Sequence, residues 1–554
     1  MSEAKRGNDL RNRTLREQRE QPPRGLTRRE FLRESVRAAA LVGLLPGAAS
    51  VLAAGCGRRG PGLPAELVQG SLRVGLDADV PTLDPAMHRS RTVEAVVRNI
   101  CDGLLARDAQ MKYVPQLAVS WTVEGEKRWV FKLREGVRFH TGEPFTAEDV
   151  KFTLDRIIGA VAGLEPSPRK DLLGPVAGTE VVDEHTVAVI TEEPYPILHK
   201  KLVFQEICPK AYFERVGPEE FGRKPVGTGP FKLVEWRPGE RIVLEGFDGY
   251  YGGSPDIPPV APAKLAGVIF RPLEEAATRL ASLEAEELEV AARVPPDQAG
   301  RVDGLPHAHL SVAQGTRTHF IGLNCARKPF SDRRVRQAAR YAVDPRPIVE
   351  RFLLGRARAL PGILVPMAFG YDSSLPEPRQ EAARARALLR EAGYPDGISV
   401  TLDCEAADKQ IAEAIAGSMQ AAGIRAEVRV WKTDNLLNQL RRQERDMFLT
   451  AWGNSSLDPS GILPVLFRSD GYSNFFGYRN TKVDRLLGEA DRSMEPEARR
   501  RKYVEVQRIL HEDIPTCFHF ALEELYGVSD RVVDFQARPD GMLPMHDVSL
   551  RTGA

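Results

Sequence analysis

Residues 129–158 read WVFKLREGVRFHTGEPFTAEDVKFTLDRII, from Trp129 to Ile158. Trp129, Phe131 and Leu133 alternate with Val130, Lys132 and Arg134, the period-2 pattern of a strand with one apolar face. Gly136 breaks the run, and Val137 and Phe139 resume it. His140-Thr141-Gly142-Glu143-Pro144 is turn chemistry. Thr146 is placed to cap a helix, with Asp149 three residues on in a variant of the capping box. Val150, Phe152, Leu154, Ile157 and Ile158 give that helix apolar mass to pack on the strands. By residue physics alone this is a strand–strand–helix unit of a globular domain.

The chain around it has 554 residues, more than one ordinary core holds. Hydrophobic residues make up 42% and charged residues 28%, the balance of a soluble globular protein. Lys+Arg 77 against Asp+Glu 76 nearly cancel, so no basic field is present to hold nucleic acid, and no nucleic-acid motif occurs. The 41 prolines and 47 glycines imply many turns between short elements. No fixed-period repeat is found.

The wording of Phe131 to Leu154 resembles the signature region of the extracytoplasmic solute-binding proteins of family 5, the peptide, nickel and oligosaccharide receptors of ABC importers. Other blocks agree with that resemblance. Pro115, Leu117, Ala118 and Trp121 match its lead-in, and Pro225 to Phe231 with Tyr250, Tyr251, Gly252 and Pro255 match a later block. Pro329 to Ala338 with Tyr341, Ala342 and Asp344, then Ala382 to Tyr394, then Tyr503 to Phe520, match three more. The resemblance spans residues 72–520. It implies an α/β, two-lobed periplasmic-binding-protein fold of type II with an extra subdomain in the first lobe. The first lobe would take 71–111, 200–317 and 523–554, the inserted subdomain 112–199, and the second lobe 318–522. Alternating strands and helices after residue 382 independently point to parallel βαβ units.

Local expectations follow from the residues. Ser71–Leu76 reads as a strand and Thr92–Leu104 as a helix. Pro225 to Phe231 lacks the Lys-Ser/Thr ending of a phosphate loop. Gly227 and Gly229 read as positive-φ residues of a tight turn before a strand over Phe231–Trp236. Ser331 or Asp332 would cap the helix that follows, and Arg336 reads as half of a packed ion pair.

Residues 1–55 are expected to be a twin-arginine-type lipoprotein signal peptide. Arg28 and Arg29 before Phe31-Leu32 resemble the twin-arginine export signal. Ala38 to Ala54 is a short apolar run broken by Gly43, Pro46 and Gly47, which fits a signal segment better than a membrane span. Val51 to Cys56 resembles a lipobox with Cys56 as the lipidated residue, although Ala53 stands where such signals place Leu. Plain cleavage near Ala54 is the other reading. Residues 56–70 would be a Gly- and Pro-rich tether. The protein is thus expected in the periplasm or cell envelope, lipid-anchored. Cys101, Cys208, Cys325, Cys404 and Cys517 form no CxxC pair, which disfavours zinc. They read as buried thiols, with a disulfide between two of them open in an exported protein.

Six residues are the candidates for the solute site: Leu83, Asp84, Trp452, Asn454, Ser455 and Asp458. Leu83 and Asp84 sit in the Pro81–Pro85 loop, which the resemblance places along the cleft; Asp84 equally fits an Asx turn. Trp452 ends a strand, and loops at strand ends of open α/β sheets meet ligands. It fits a stacking surface for a sugar or a core tryptophan. In peptide-binding relatives an Asp three residues after this Trp holds the ammonium group; Ser455 stands here, and a neutral hydroxyl supplies no charge-assisted bond. Dipeptide binders also carry an Arg before the next helix, where this chain has Asp403 to Asp408. Asn454 and Ser455 suit a neutral ligand, and Asp458 before Pro459 reads as a turn former. Neutral or sugar-like solutes are therefore expected to bind better than dipeptides.

The function implied is the receptor of an ABC importer, a monomer capturing a peptide or similar small solute for separate permease and ATPase chains. Alternatives are an oligosaccharide, an opine-like molecule or a metal complex as solute, or the same scaffold as a chaperone or signalling receptor. No resident cofactor or metal is expected. His307 and His309 are a weak pair without a third ligand, while His88, His140 and His319 keep haem or nickel-complex binding open. An exported hydrolase is the distant rival, without GxSxG or HExxH.

Overall fold

The computed structural model describes Pro64, Leu67, residues 69–257 and residues 261–551. Arg28, Arg29, Cys56 and most of the expected tether lie outside the described residues.

Eleven strands form one mixed sheet. Its spine is an antiparallel pair of long strands, Ala308–Leu323 and Thr516–Ser529. To one side lie Met447–Gly453, Ile398–Glu405 and Ile424–Trp431, the last two parallel to each other. To the other lie Val290–Ala291, Ser71–Leu76, Gly267–Pro272, Arg241–Gly246 and Phe231–Arg237. Ser71–Leu76 is the strand its sequence implies, buried at Leu72, Val74 and Leu76 on one face and at Ser71 and Gly75 on the other.

The spine is irregular midway. Gln314 faces Glu523, and the next paired residue, Thr318, faces Ala521, so Gly315, Thr316 and Arg317 oppose Leu522 alone. Such a bulge bends a strand and re-aims side chains. Gly315 permits it: a Cβ there would lie 2.5 Å from the Leu522 carbonyl oxygen. Apolar residues gather separately on either side of this bend. One core joins Leu72, Val93, Phe231, Leu244 and Phe270. Beyond the bend, one core joins Ile321, Val335, Leu389, Leu402 and Met447, and another Phe320, Phe448, Phe476 and Tyr503.

The signature stretch builds a third body. Ala118–Glu124, Arg128–Leu133, Thr186–Thr191 and Val176–Asp183 form an antiparallel sheet. Trp129, Phe131 and Leu133 face inward, onto the helix Ala147–Ile158 through Val150 and Leu154. The Thr146 amide donates to Asp149 Oδ2 at 2.9 Å, one arm of the expected capping box. Val137 and Phe139 do not continue a regular strand. They stay buried, but the chain folds on itself as a loop, with Phe145 N bonding Val137 O and Phe139 N bonding Glu143 O.

Three further expectations are corrected. The first helix runs only over Arg91–Val97; the carbonyls of Asn99 and Ile100 accept from Phe231 and Gly229 instead of from the next helical turn. Gly227 and Gly229 are not in the left-handed region. They are glycine because the chain passes against that same segment: a Cβ on Gly227 would collide with the Ile100 carbonyl, and one on Gly229 would lie 2.7 Å from the Ile100 carbonyl carbon. Arg336 makes no ion pair among the described residues; it donates to the carbonyls of Asp513 at 2.7 Å and Phe330 at 2.8 Å. Asp332 is the helix cap, accepting from Arg334 N at 2.8 Å.

Candidate functional site

The strand Met447–Gly453 delivers Trp452 to its end. The indole is half-buried, donates from Nε1 to Gly461 O at 3.1 Å, and lies 6.2 Å from the Tyr472 ring, which is 76% exposed. The loop after it is rigidly bonded. Asn454 is buried, its amide N donating to Thr316 O and its Oδ1 accepting from Ser456 Oγ at 3.1 Å. Asn454 Nδ2 has no hydrogen-bond partner among the described residues. Asp458 is fully buried and caps the short turn Pro459–Gly461 by accepting from Ser460 N.

Asp458 does more than turn the chain. It accepts from Arg499 Nη2 at 2.8 Å and from Lys200 Nζ at 2.9 Å. Burial alone would raise its pKa, but Lys200 and Arg499 hold the carboxyl well below the usual carboxylate range. Lys200 lies in the helix Leu198–Leu202, which packs with Trp129 and Phe131 in the core of the sheet body built by the signature stretch, so this pair joins two parts of the molecule. Two more groups far away in sequence reach the same loop: Arg107 Nη1 donates to Ser455 O, and Tyr113 Oη donates to Ser456 O at 2.6 Å. Arg107 is fixed in turn by Asp540 at 3.0 Å. Arg107 also lines a cavity of about 390 Å³ within the first lobe, with Arg98, Asp102, Tyr250 and Met542. The Ser455 side chain is half-buried and makes no hydrogen bond among the described residues.

The structure separates Leu83 and Asp84 from this loop. Leu83 is fully buried, its amide bonded to Gly222 O. Asp84 binds Arg156 through both guanidinium nitrogens, Nη1 at 3.0 Å, and accepts from Ala86 N at 3.0 Å. Its carboxylate is spent on the Asx turn and on joining the first lobe to the inserted sheet body.

Arg317, Glu405 and Asp408 form a charged set at the end of the strand that carries Trp452. Arg317 lies in the spine bulge and pairs in the sheet with Gly453, next to Trp452. Ile398–Glu405 runs parallel to Met447–Gly453, so Glu405 and the following Asp408 end at the same sheet edge. Arg317 reaches solvent, yet no carboxylate lies within 4.0 Å of it among the described residues. Desolvation lowers its pKa, as does Arg91; Glu405, Asp408 and Glu524 act oppositely. Asp408, also without a partner among the described residues, is pushed up to about 6 by burial and by Glu405. From the first lobe, Arg91 and Glu524 face this edge as a closed pair at 2.7 Å. A lone arginine in a strand carries no sequence signal of such a role; only the two-residue surplus of the bulge reveals it.

The histidines left open by the sequence are structural. His88 contacts Arg169 at 3.1 Å, His140 bonds Gly229 O at 3.0 Å, and His319 stacks on Phe520. His309 pairs with Asp530, and His307 turns toward Leu283 O. Among the described residues no group of three His, Cys, Asp or Glu side chains is placed to hold a metal, and Cys101, Cys208, Cys325, Cys404 and Cys517 are free.

A two-lobed α/β frame with a bent two-strand spine, whose Ser455–Asp458 loop is held by distant groups, is the architecture of a protein that holds a solute between lobes. A profile of bacterial extracellular solute-binding proteins, family 5 Middle, matches residues 112–474. The chain belongs to that family, which is one of binding proteins. The glutathione-binding protein GsiB of Shigella boydii serotype 4 (strain Sb227) is 29% identical over 495 residues, 86% of this chain and 94% of that one. Among solved structures, HbpA2 from Haemophilus parasuis superposes with a TM-score of 0.79 at 22% identity, over 87% of this chain and 100% of the other. The periplasmic binding protein DppA from Helicobacter pylori, in complex with the peptide STSA, gives 0.72 at 24%, over 87% and 98%. The fold class read from the sequence is thereby shown. No helix among the described residues is long and apolar enough to cross a membrane.

Proposed function

We propose that this chain is the receptor of an ABC importer, capturing a peptide-sized solute between its lobes and passing it unaltered to a membrane permease. The observation that carries this reading is the clasp on the Ser455–Asp458 loop by Arg107, Tyr113 and Lys200 from the opposite lobe. Contacts of this kind exist only when the lobes meet, so they favour the closed form, which a ligand in the gap stabilises further. The two relatives that bind glutathione and a peptide support a peptide-like solute. In this reading Trp452, Asn454 and Ser455 line the site and Asp458 braces its loop, whereas Leu83 and Asp84 stand apart from it, tied to Gly222 and Arg156. The lobe limits proposed are 71–111, 200–317 and 523–554 for the first lobe, with 112–199 inserted and 318–522 as the second. The spine bulge at residues 315–317 falls at that boundary. Export through Arg28 and Arg29, lipid attachment at Cys56, a monomeric state and absence of enzymatic turnover complete the proposal.

A thermal-shift screen of the mature protein tests it. A ligand at a hundredfold excess over Kd stabilises by about 2.7 kcal/mol. Free peptides of two to four residues, glutathione included, are expected to give the largest shifts. A screen in which no peptide, sugar or metal complex shifts the transition would overturn the receptor reading.

A further inference from the structure

We propose that the cavity lined by Arg107 is a second binding site, apart from the Trp452 loop. It takes a small monocarboxylic acid with an apolar body, and the Nε–Nη2 edge of Arg107 grips the carboxylate. The site stands on the cavity itself and goes beyond the receptor reading.

The lining takes no residue from Trp452 to Asp458. The Arg107 side chain is fully buried. The rings of Phe204 and Tyr113 lie over its guanidinium at 4.8 Å and 5.9 Å, so its hydrogen bonds are left to the in-plane edges. Nη1 donates to Ser455 O. Nε and Nη2, the two donors of the side edge, make no hydrogen bond among the described residues. Asp540 Oδ2 stands 3.0 Å from Nη2 and supplies charge, but off the N–H direction. Donors left open on a buried guanidinium are costly unless an acceptor meets them, and a carboxylate meets such a parallel pair with both oxygens.

The charges around the cavity point to an anion as well. Arg98, Arg107 and Arg538 all line it and all act on one carboxylate, Asp540, which they hold well below the usual range. Glu94 is committed to Arg98 at 3.0 Å and Arg169 at 2.9 Å. Glu206 also lines the cavity, is only 2% exposed, and makes no hydrogen bond through either oxygen among the described residues. Burial and the neighbouring Glu94 push it up to about 8. At neutral pH it therefore holds a proton that it can donate to an acid's oxygen. Four guanidinium groups thus face two ionised carboxylates, Glu94 and Asp540. The other acids on the lining do not redress this: Asp534 is taken by Lys264 at 3.1 Å, Asp547 lies 3.3 Å from His546, and burial pushes Asp102 up to about 7. The cavity holds about 390 Å³, near the lower end of the roughly 300–1,000 Å³ of small-molecule sites. Leu105, Val203, Tyr250 and Met542 give it buried apolar surface, which suits an aromatic or medium-chain acid better than acetate.

Fluorine NMR of the protein without any peptide solute tests this, with para-fluorobenzoate and its neutral isostere para-fluorobenzamide as probes and hexanoate and acetate as competitors. The benzoate is expected to bind one to one and about 10-fold or more tighter than the amide, and hexanoate to displace it at lower concentration than acetate. Arg107→Lys keeps the charge but loses the two-donor edge, and is expected to abolish the preference for the acid. Ala109→Trp, at an exposed position on the lining, is expected to weaken benzoate binding by filling the mouth, and it reports the location even if Arg107→Lys does not fold. Equal binding of acid and amide overturns the site. So does an acid preference that survives Arg107→Lys, benzoate binding untouched by Ala109→Trp, or no acid bound with a Kd of about 1 mM or tighter. None of these outcomes bears on the receptor reading, which the peptide screen decides.

Discussion

Asp458→Ala removes the carboxylate at the centre of the clasp. In the wild type it is fully buried and accepts from Arg499 Nη1 and Nη2, Lys200 Nζ, and Ser460 N and Oγ. Arg499 is only 4% exposed, so the variant strands a buried guanidinium; breaking such a pair from one side costs about 3–5 kcal/mol. The cap on Pro459–Gly461 goes too, for about 1 kcal/mol. Chemical denaturation is the assay of choice. A chain of this size unfolds with an entropy of roughly 1 kcal/mol/K, so even this loss moves Tm by only a few degrees. The double variant Asp458→Ala with Arg499→Met removes both charges and should regain more than half of the loss, since an apolar substitute for a whole buried pair is close to neutral. A single-variant loss below about 1 kcal/mol, or a double variant no better than the single, would refute the reasoning.

Lys200→Met leaves the Asp458–Arg499 pair intact, and should cost little stability but weaken solute binding about 5-fold, near 1 kcal/mol, by loosening the closed form; unchanged affinity in calorimetry speaks against the clasp. Gly227→Ala drives a methyl into the Ile100 carbonyl and should cost about 3 kcal/mol or more, read as a lower denaturation midpoint; a neutral result would show that the segment yields. Stability should fall on acidification from about pH 6.5 to about pH 4. Burial lowers His88, His140, His199 and His511 to about 4 from an ordinary 6.5, so the unfolded chain takes up protons first in that window. Each contributes a slope of up to about 1.4 kcal/mol per pH unit. Burial raises Asp102 to about 7 from 3.8, so its contribution is lost as pH rises through this same window and offsets about one of the four histidines. Stability is therefore expected to be higher at pH 7 than at pH 4, and a profile that rises toward pH 4 would contradict it.

Much of the frame was legible because it is local. Trp129, Phe131 and Leu133 alternate in sequence and face inward in the sheet, and Asp332 announces a helix that it does cap. What failed to show was set by contacts distant in sequence. The first helix stops at Val97 because Gly229 and Phe231, more than a hundred residues on, take the next carbonyls. Gly227 looks like a turn glycine, but the need is close passage, which no local pattern distinguishes from positive φ. At the site, Trp452 stood out through its setting at a strand end. Asp458 read as a turn former and is one, but its bond to Lys200 reaches a separately packed body and leaves no trace near residue 458. Arg317 was invisible because its importance comes from a two-residue mismatch between strands that meet only in the fold.

The central claim is that the chain grips a solute and releases it unchanged. Native mass spectrometry of the mature protein with a pool of tripeptides with free termini, followed by acid release and mass analysis of what was bound, tests this most directly. The account predicts one peptide per chain, recovered at its original mass. A protein that stays empty, or that returns cleaved or otherwise altered peptide, would contradict it.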